Sequence, residues 1–146
     1  VAQTQIEEWI VKAWTLMLLA LSMPAVALAE EGGKEEDVNK VAYVALTPPF
    51  VGNYSLDGGP KLHVYKADVA LRVTGAEAQK AVKKNEPLIR NQLVALFTQQ
   101  TVDSMSNVDA KEKLRQEALK QVQQVMSDEE GKPVVEDLLF NNFIAQ

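Results

Sequence analysis

The sequence predicts an α+β fold, a small antiparallel sheet packed on two main helices. Three observations carry this. His63, Tyr65, Ala67, Val69, Leu71 and Val73 alternate with Lys66, Asp68, Arg72 and Thr74, the period of a half-buried strand, interrupted by Val64 and Ala70. Ile89, Leu93, Leu96 and Phe97 recur at helical spacing, and so do Leu114, Ala118, Val122 and Val125/Met126. The pieces follow one another as β-β-α-α-β, with turn-forming residues between most of them.

Residues 1–29 stand apart from the domain. Lys12 precedes an uncharged run from Ala13 to Ala29. Pro24 breaks that run, and Ala27-Leu28-Ala29 is a small-x-small site followed by Glu30-Glu31. This is the layout of a secretory signal peptide cut after Ala29. The alternative is a retained short membrane anchor, at the lower limit for a hydrocarbon core of about 30 Å. The chain opens on Val1, as a literally translated GUG codon would give. A start at Val11 would leave out Glu7 and Glu8, which are unusual ahead of an apolar run, so residues 1–10 read as an over-extended start. Residues 30–40 are charged, carry two glycines and form a flexible linker. The domain is predicted over 41–146.

Within it, Val41 to Val51 is apolar and β-rich, a strand that ends or reaches an exposed edge at Pro48-Pro49. Asn53 to Pro60 is a loop around Asp57-Gly58-Gly59-Pro60, so the next strand returns antiparallel. Gly75 stops that strand. Helix-forming residues run to Lys84, and a second helix is predicted to open at Asn85-Glu86-Pro87, because proline suits a first turn. The expectation is a broken or kinked helix. Ser106-Asn107-Val108-Asp109 reads as a capping box with Ser106 at the N-cap of a helix over 111–130. Gly131 then stops it, ahead of Pro133. Val134 to Gln146 reads as a strand with Leu138, Phe140 and Ile144 on one face and Leu139 and Phe143 on the other, a two-sided pattern that suits a central strand. Leu71, Ile89, Leu93, Phe97, Leu114 and Phe140 are the predicted core.

Chemistry is sparse. No cysteine is present, which excludes disulfides, thiol nucleophiles and cysteine-held metals. A net charge of −5 with scattered basic residues argues against nucleic acid as a partner. The sole histidine, His63, sits mid-strand with no carboxylate motif near it in sequence and reads as a sheet residue. Asp57-Gly58-Gly59 lacks the following helix and the Lys-Ser/Thr of a phosphate loop, and reads as a turn. Asp128-Glu129-Glu130 are consecutive carboxylates, which alone do not surround a cation, and read as a solvated helix end. No catalytic, cofactor-binding or metal site is predicted.

Five stretches point elsewhere. Pro49-Phe50-Val51 with Asn53, LHVYKADVALRV (62–73), EPLIRNQLVALF (86–97), KEKLRQEALKQV (111–122) and EDLLFNNFIAQ (136–146) occur in this order. Together they resemble the FliL family of flagellar basal body-associated proteins along nearly all of the domain. The resemblance implies a non-enzymatic periplasmic domain similar to the stomatin/prohibitin (SPFH) fold, without cofactors. It also implies flagellar stator or basal-body proteins as partners and a homo-oligomeric ring in the assembled motor, held at the inner membrane through the leader or a partner. The implied role is support of stator assembly, torque or rotation control. The sequence departs from the family pattern at Ala110, where glycine is usual, and in a leader that looks cleavable where the family has a longer transmembrane helix. A soluble periplasmic scaffold or binding protein of the same fold, without a flagellar role, is the alternative.

Overall fold

Three strands, β1 (Val41–Tyr54), β2 (His63–Thr74) and β3 (Asp137–Ala145), form one antiparallel sheet with β2 in the middle. The computed structural model describes residues 38–56 and 59–146. The predicted cleavage site at Ala27 and Ala29, the leader, most of the linker and Asp57-Gly58 lie outside the described residues. Between β2 and β3 come α1 (Ala76–Thr98), the short α2 (Val102–Met105) and α3 (Val108–Glu130). The domain is thus α+β, a three-stranded antiparallel sheet packed with two main helices.

The alternation in β2 holds. Tyr65, Ala67, Val69, Leu71 and Val73 are buried, and Val44, Leu46, Phe50 and Tyr54 of β1 join them on the same face. Helix α1 presents Val82, Asn85, Ile89, Leu93, Leu96 and Phe97 inward, and α3 presents Leu114, Ala118, Val122 and Met126. Leu138 of β3 is fully buried, and Phe140 and Phe143 are partly buried against the same core. Burial of one sheet face and two helix stripes supplies the main stabilising term, about 1.5–3 kcal/mol for each large apolar side chain.

Four local expectations need correction. The predicted break at Asn85-Glu86-Pro87 is absent, and α1 runs continuously from Ala76 to Thr98. Pro87 has no N–H for the carbonyl of Lys83. Both residues lie on the exposed side of the helix, so the missing bond falls away from the core. The apolar stripe Val82–Asn85–Ile89–Leu93 meanwhile keeps its spacing across the proline. β3 is an edge strand, paired with β2 and not central. Its faces also change partway. Val69 pairs with Phe140 and Asp68 with Asn142, so Asn141 is an extra residue. That bulge turns Phe143, not Ile144, to the side of Leu138 and Phe140. The N-cap of α3 is Asn107, whose Oδ1 accepts the Ala110 amide at 2.8 Å, while the capping box belongs to Thr101 and Ser104 on α2.

Of the two expectations for β1, it reaches an exposed edge at its prolines and does not end there. Leu46 pairs with Val69 and Phe50 with Ala67, so Thr47-Pro48-Pro49 bulge out of an edge strand that then resumes. Gly131 stops α3 in the left-handed conformation at φ 75°, where its backbone N–H reaches Ser127. At the other end of the sheet, the Gly75 amide donates to the Lys40 carbonyl at 2.9 Å, which fixes the entry into β1.

Candidate functional site

No group of three or more His, Asp or Glu side chains among the described residues is placed to hold a metal ion. His63 opens β2 half-buried, with its ring 5.3 Å from that of Tyr54. Of the acidic run at the end of α3, Asp128 accepts from Gln124, and Glu130 accepts from both Lys84 and the buried Asn85. Those contacts tie α3 to the middle of α1. The predicted core residues Leu71, Ile89, Leu93, Phe97 and Leu114 lie together in the interior, with Phe140 at its margin. The depression between α2 and α3, lined by Asp103, Ser104, Asn107, Lys113 and Glu117, is a shallow polar dip.

The surface that stands out is the outer face of the sheet. Tyr43 (61% exposed) and Val51 (66%) on β1, Val64 (39%) on β2 and Ile144 (44%) on β3 share it, and Val41 extends it at one end. Small Ala45 and Ala70 pair across its middle, beside Leu139. Lys66 and Asp68 stand on the central strand between Val64 and Ala70. Helices cover the inner face, while among the described residues no helix packs on the outer one. Val64 and Ala70, which interrupt the polar side of the β2 pattern in sequence, were the legible sign of it.

Polar side chains secure the sheet's margins. Arg115 of α3 donates to Asp137 at 2.6 Å and to the Leu138 carbonyl at 2.9 Å, while its other nitrogens grip Glu112 at 2.6 and 2.8 Å. Lys111 reaches the Phe143 carbonyl, and Gln123 donates to Val135. On the opposite edge, Arg90 of α1 donates to the Pro48 carbonyl at 2.7 Å and lies 4.3 Å over the Phe50 ring. Glu136 bridges Arg72 and Thr74.

The charges respond accordingly. Hydrogen bonding from Arg115, then from Gln116, lowers the Glu112 carboxyl to about 2. Glu136 is lowered by the Thr74 hydroxyl and Arg72, and Glu130 by Lys84 and Asn85. Arg115 is raised, chiefly by Glu112. Tyr65 is raised by burial, against an opposing hydrogen bond with Thr98. These are structural clamps, and they bring together no nucleophile and base.

A family model described as flagellar basal body-associated protein FliL matches residues 43–146, which takes in nearly all of the sheet and all three helices. The chain belongs to the FliL family. That places it in a structural flagellar family of the basal body, at the cell envelope, and not in a family of enzymes. The flagellar protein FliL of Aquifex aeolicus (strain VF5) is 29% identical over 102 residues, covering 69% of this chain and 59% of that protein. The chain therefore spans about three fifths of the length of this FliL relative. Among the described residues no helix is long and apolar enough to cross a membrane.

Proposed function

We propose that this FliL-family chain is a non-enzymatic component beside the flagellar stator, where it supports stator assembly, torque or control of rotation. The observation that carries the reading is the family match over 43–146, the same span that forms the sheet and helices. The two-layer domain presents opposite flanks to neighbours, the geometry of head-to-tail contacts that close rings. A homo-oligomeric ring of domains similar to the SPFH fold fits that geometry, with contacts that are weak singly and strong in number. In this reading the domain is periplasmic at the inner membrane. The leader of 1–29 is removed after Ala29, and a single N-terminal anchor is the alternative.

Deletion of the gene tests it, with swimming scored in media of rising viscosity and filaments counted on the same cells. The expected result is a loss of motility that grows with load while filament number holds, with the protein co-localising with motors. Intact mass of the protein from the same cells reads the leader, and a chain beginning at Glu30 is expected. Normal motility at every load, with no motor co-localisation, would reject the stator role and leave a soluble periplasmic scaffold of the same fold.

A further inference from the structure

The outer face of the sheet gathers exposed apolar side chains from all three strands, Tyr43, Val51, Val64 and Ile144, on a domain whose other face is already covered. Large apolar side chains gathered on an uncovered face, around a charged centre, mark a contact surface. The pattern along the central strand says what contacts it. Read outward-facing residue by outward-facing residue, β2 opens with Val64, Lys66, Asp68 and Ala70, ahead of Arg72 and Thr74. The order of the first four is large apolar, cation, anion, small apolar. Reversed about its midpoint, each member meets its complement, the large side chain over the small one and the cation over the anion. A second copy turned about that midpoint meets both complements at once, which makes it the occupant the central strand favours.

We propose that the outer face packs against the same face of a second copy, sheet on sheet, about a two-fold axis that crosses β2 over Ala67. An axis there, lying between the sheets and across the strands, sets Lys66 over Asp68 of the second copy and Val64 over its Ala70, and does so twice. Aligned sheets pack about 10 Å apart with strands inclined by about 30°, which keeps the central strands in register and splays the outer ones. Ala70 is only 4% exposed, at the floor of the face, and is the small member that the Val64 branch would lie over. Among the described residues neither Lys66 nor Asp68 has an ion-pair partner within its own chain. Closing the two-fold supplies one for each. Such an interface is isologous: a single substitution appears twice, and its effect doubles. The pairing rests on the sheet alone and holds or fails independently of the flagellar role.

The test is charge reversal read by sedimentation equilibrium on the full chain, in the form in which cells keep it, from about 10 μM to about 1 mM. The wild type is expected to show a monomer–dimer equilibrium in that range. Lys66→Glu and Asp68→Lys each set like charges against one another twice, and each is expected to raise the dissociation constant at least about tenfold. The double variant Lys66→Glu/Asp68→Lys recreates both pairs with the signs exchanged, and is expected to return dimerisation to within about threefold of wild type. Both side chains project away from the core, and circular dichroism checks that each variant remains folded. A chain that stays monomeric throughout, a dimer indifferent to the single reversals, or a double variant as weak as the singles would each overturn the proposal. Motility scored on the same variants separates this surface from the stator role, because either can fail while the other stands.

Discussion

Phe97 is the side chain whose removal the core should tolerate least. It closes α1 fully buried, and four other rings surround it. Phe50 and Tyr65 approach edge-on at centroid distances of 5.7 and 5.4 Å, and Phe140 and Phe143 lie at 5.9 and 6.0 Å. Phe97 thus joins rings on the inner faces of β1, β2 and β3 to a helix. Phe97→Ala loses the transfer free energy of the ring and leaves a cavity, which together cost about 3–5 kcal/mol in buried sites. Edge-to-face pairs add about 0.5–1.5 kcal/mol each when intact, but not additively. Phe140 and Phe143 are only partly buried and can lean into the space, which places the loss near 3–4 kcal/mol. With a urea slope of about 1–3 kcal/mol/M, the midpoint should fall by about 2 M with the slope unchanged. Phe97→Leu keeps most of the volume and should lose about 1–2 kcal/mol. Leu93→Ala, also fully buried, should cost about 2–5 kcal/mol, and the marginal Phe140→Ala less. Tyr43→Ala, on the opposite face, should stay within about 0.5 kcal/mol. A loss under about 1 kcal/mol for Phe97→Ala would refute the hub, since every cavity estimate exceeds it.

Two further perturbations follow from particular contacts. A Cβ at Gly52 would stand 3.0 Å from the Tyr65 hydroxyl and 3.1 Å from its Cε1, and that ring is held by burial and by Thr98. Gly52→Ala should therefore lower the urea midpoint by the equivalent of about 1–3 kcal/mol, with partial recovery on adding Tyr65→Phe; an unchanged midpoint would show that the ring yields freely. The Glu112 carboxyl is lowered to about 2 from its ordinary 4.5. A depressed carboxylate contributes stability that is present above the unfolded value and lost as pH falls through the folded one. Stability should accordingly decline between pH 4.5 and 2 partly through Glu112, and Glu112→Gln should flatten that decline in denaturation curves taken across the window. An identical decline in both proteins would remove Glu112 as a contributor.

What the sequence showed well was whatever a single element decides for itself. β2 faces a core on one side, so its alternation is a direct record of burial, and the α3 stripe at every fourth residue is equally plain. Errors came where a neighbour overrides a local rule. Proline is a sound reason to start a helix, yet the stripe running through Asn85 and Ile89 outweighs one missing amide bond on the wet side of α1. In β3 the step from Phe140 to Phe143 was the trace of the bulge at Asn141, because strict alternation cannot place both on one face. Asn107 and Ser106 are both good caps by type, and only the path of the chain out of α2 chooses between them. The Arg115 grip on Asp137 and Leu138 left no sequence trace, since it joins two elements that share no periodicity. The outer sheet face was half-legible, through Val64 and Ala70, because its other members come from strands whose pairing had first to be known.

The treatment of the sheet's two margins sets what kind of association this domain is able to have. Along β3, the carbonyls of Leu138 and Phe143 are already engaged by Arg115 and Lys111, and along β1 a pair of prolines interrupts the ladder beside Arg90. Backbone pairing is indifferent to sequence, so an open margin would accept any extended chain, including misfolded neighbours. With the margins occupied or broken, recognition is left to side chains. Association through such a domain then depends on which side chains meet, so a handful of substitutions on its faces is enough to change the partner it accepts.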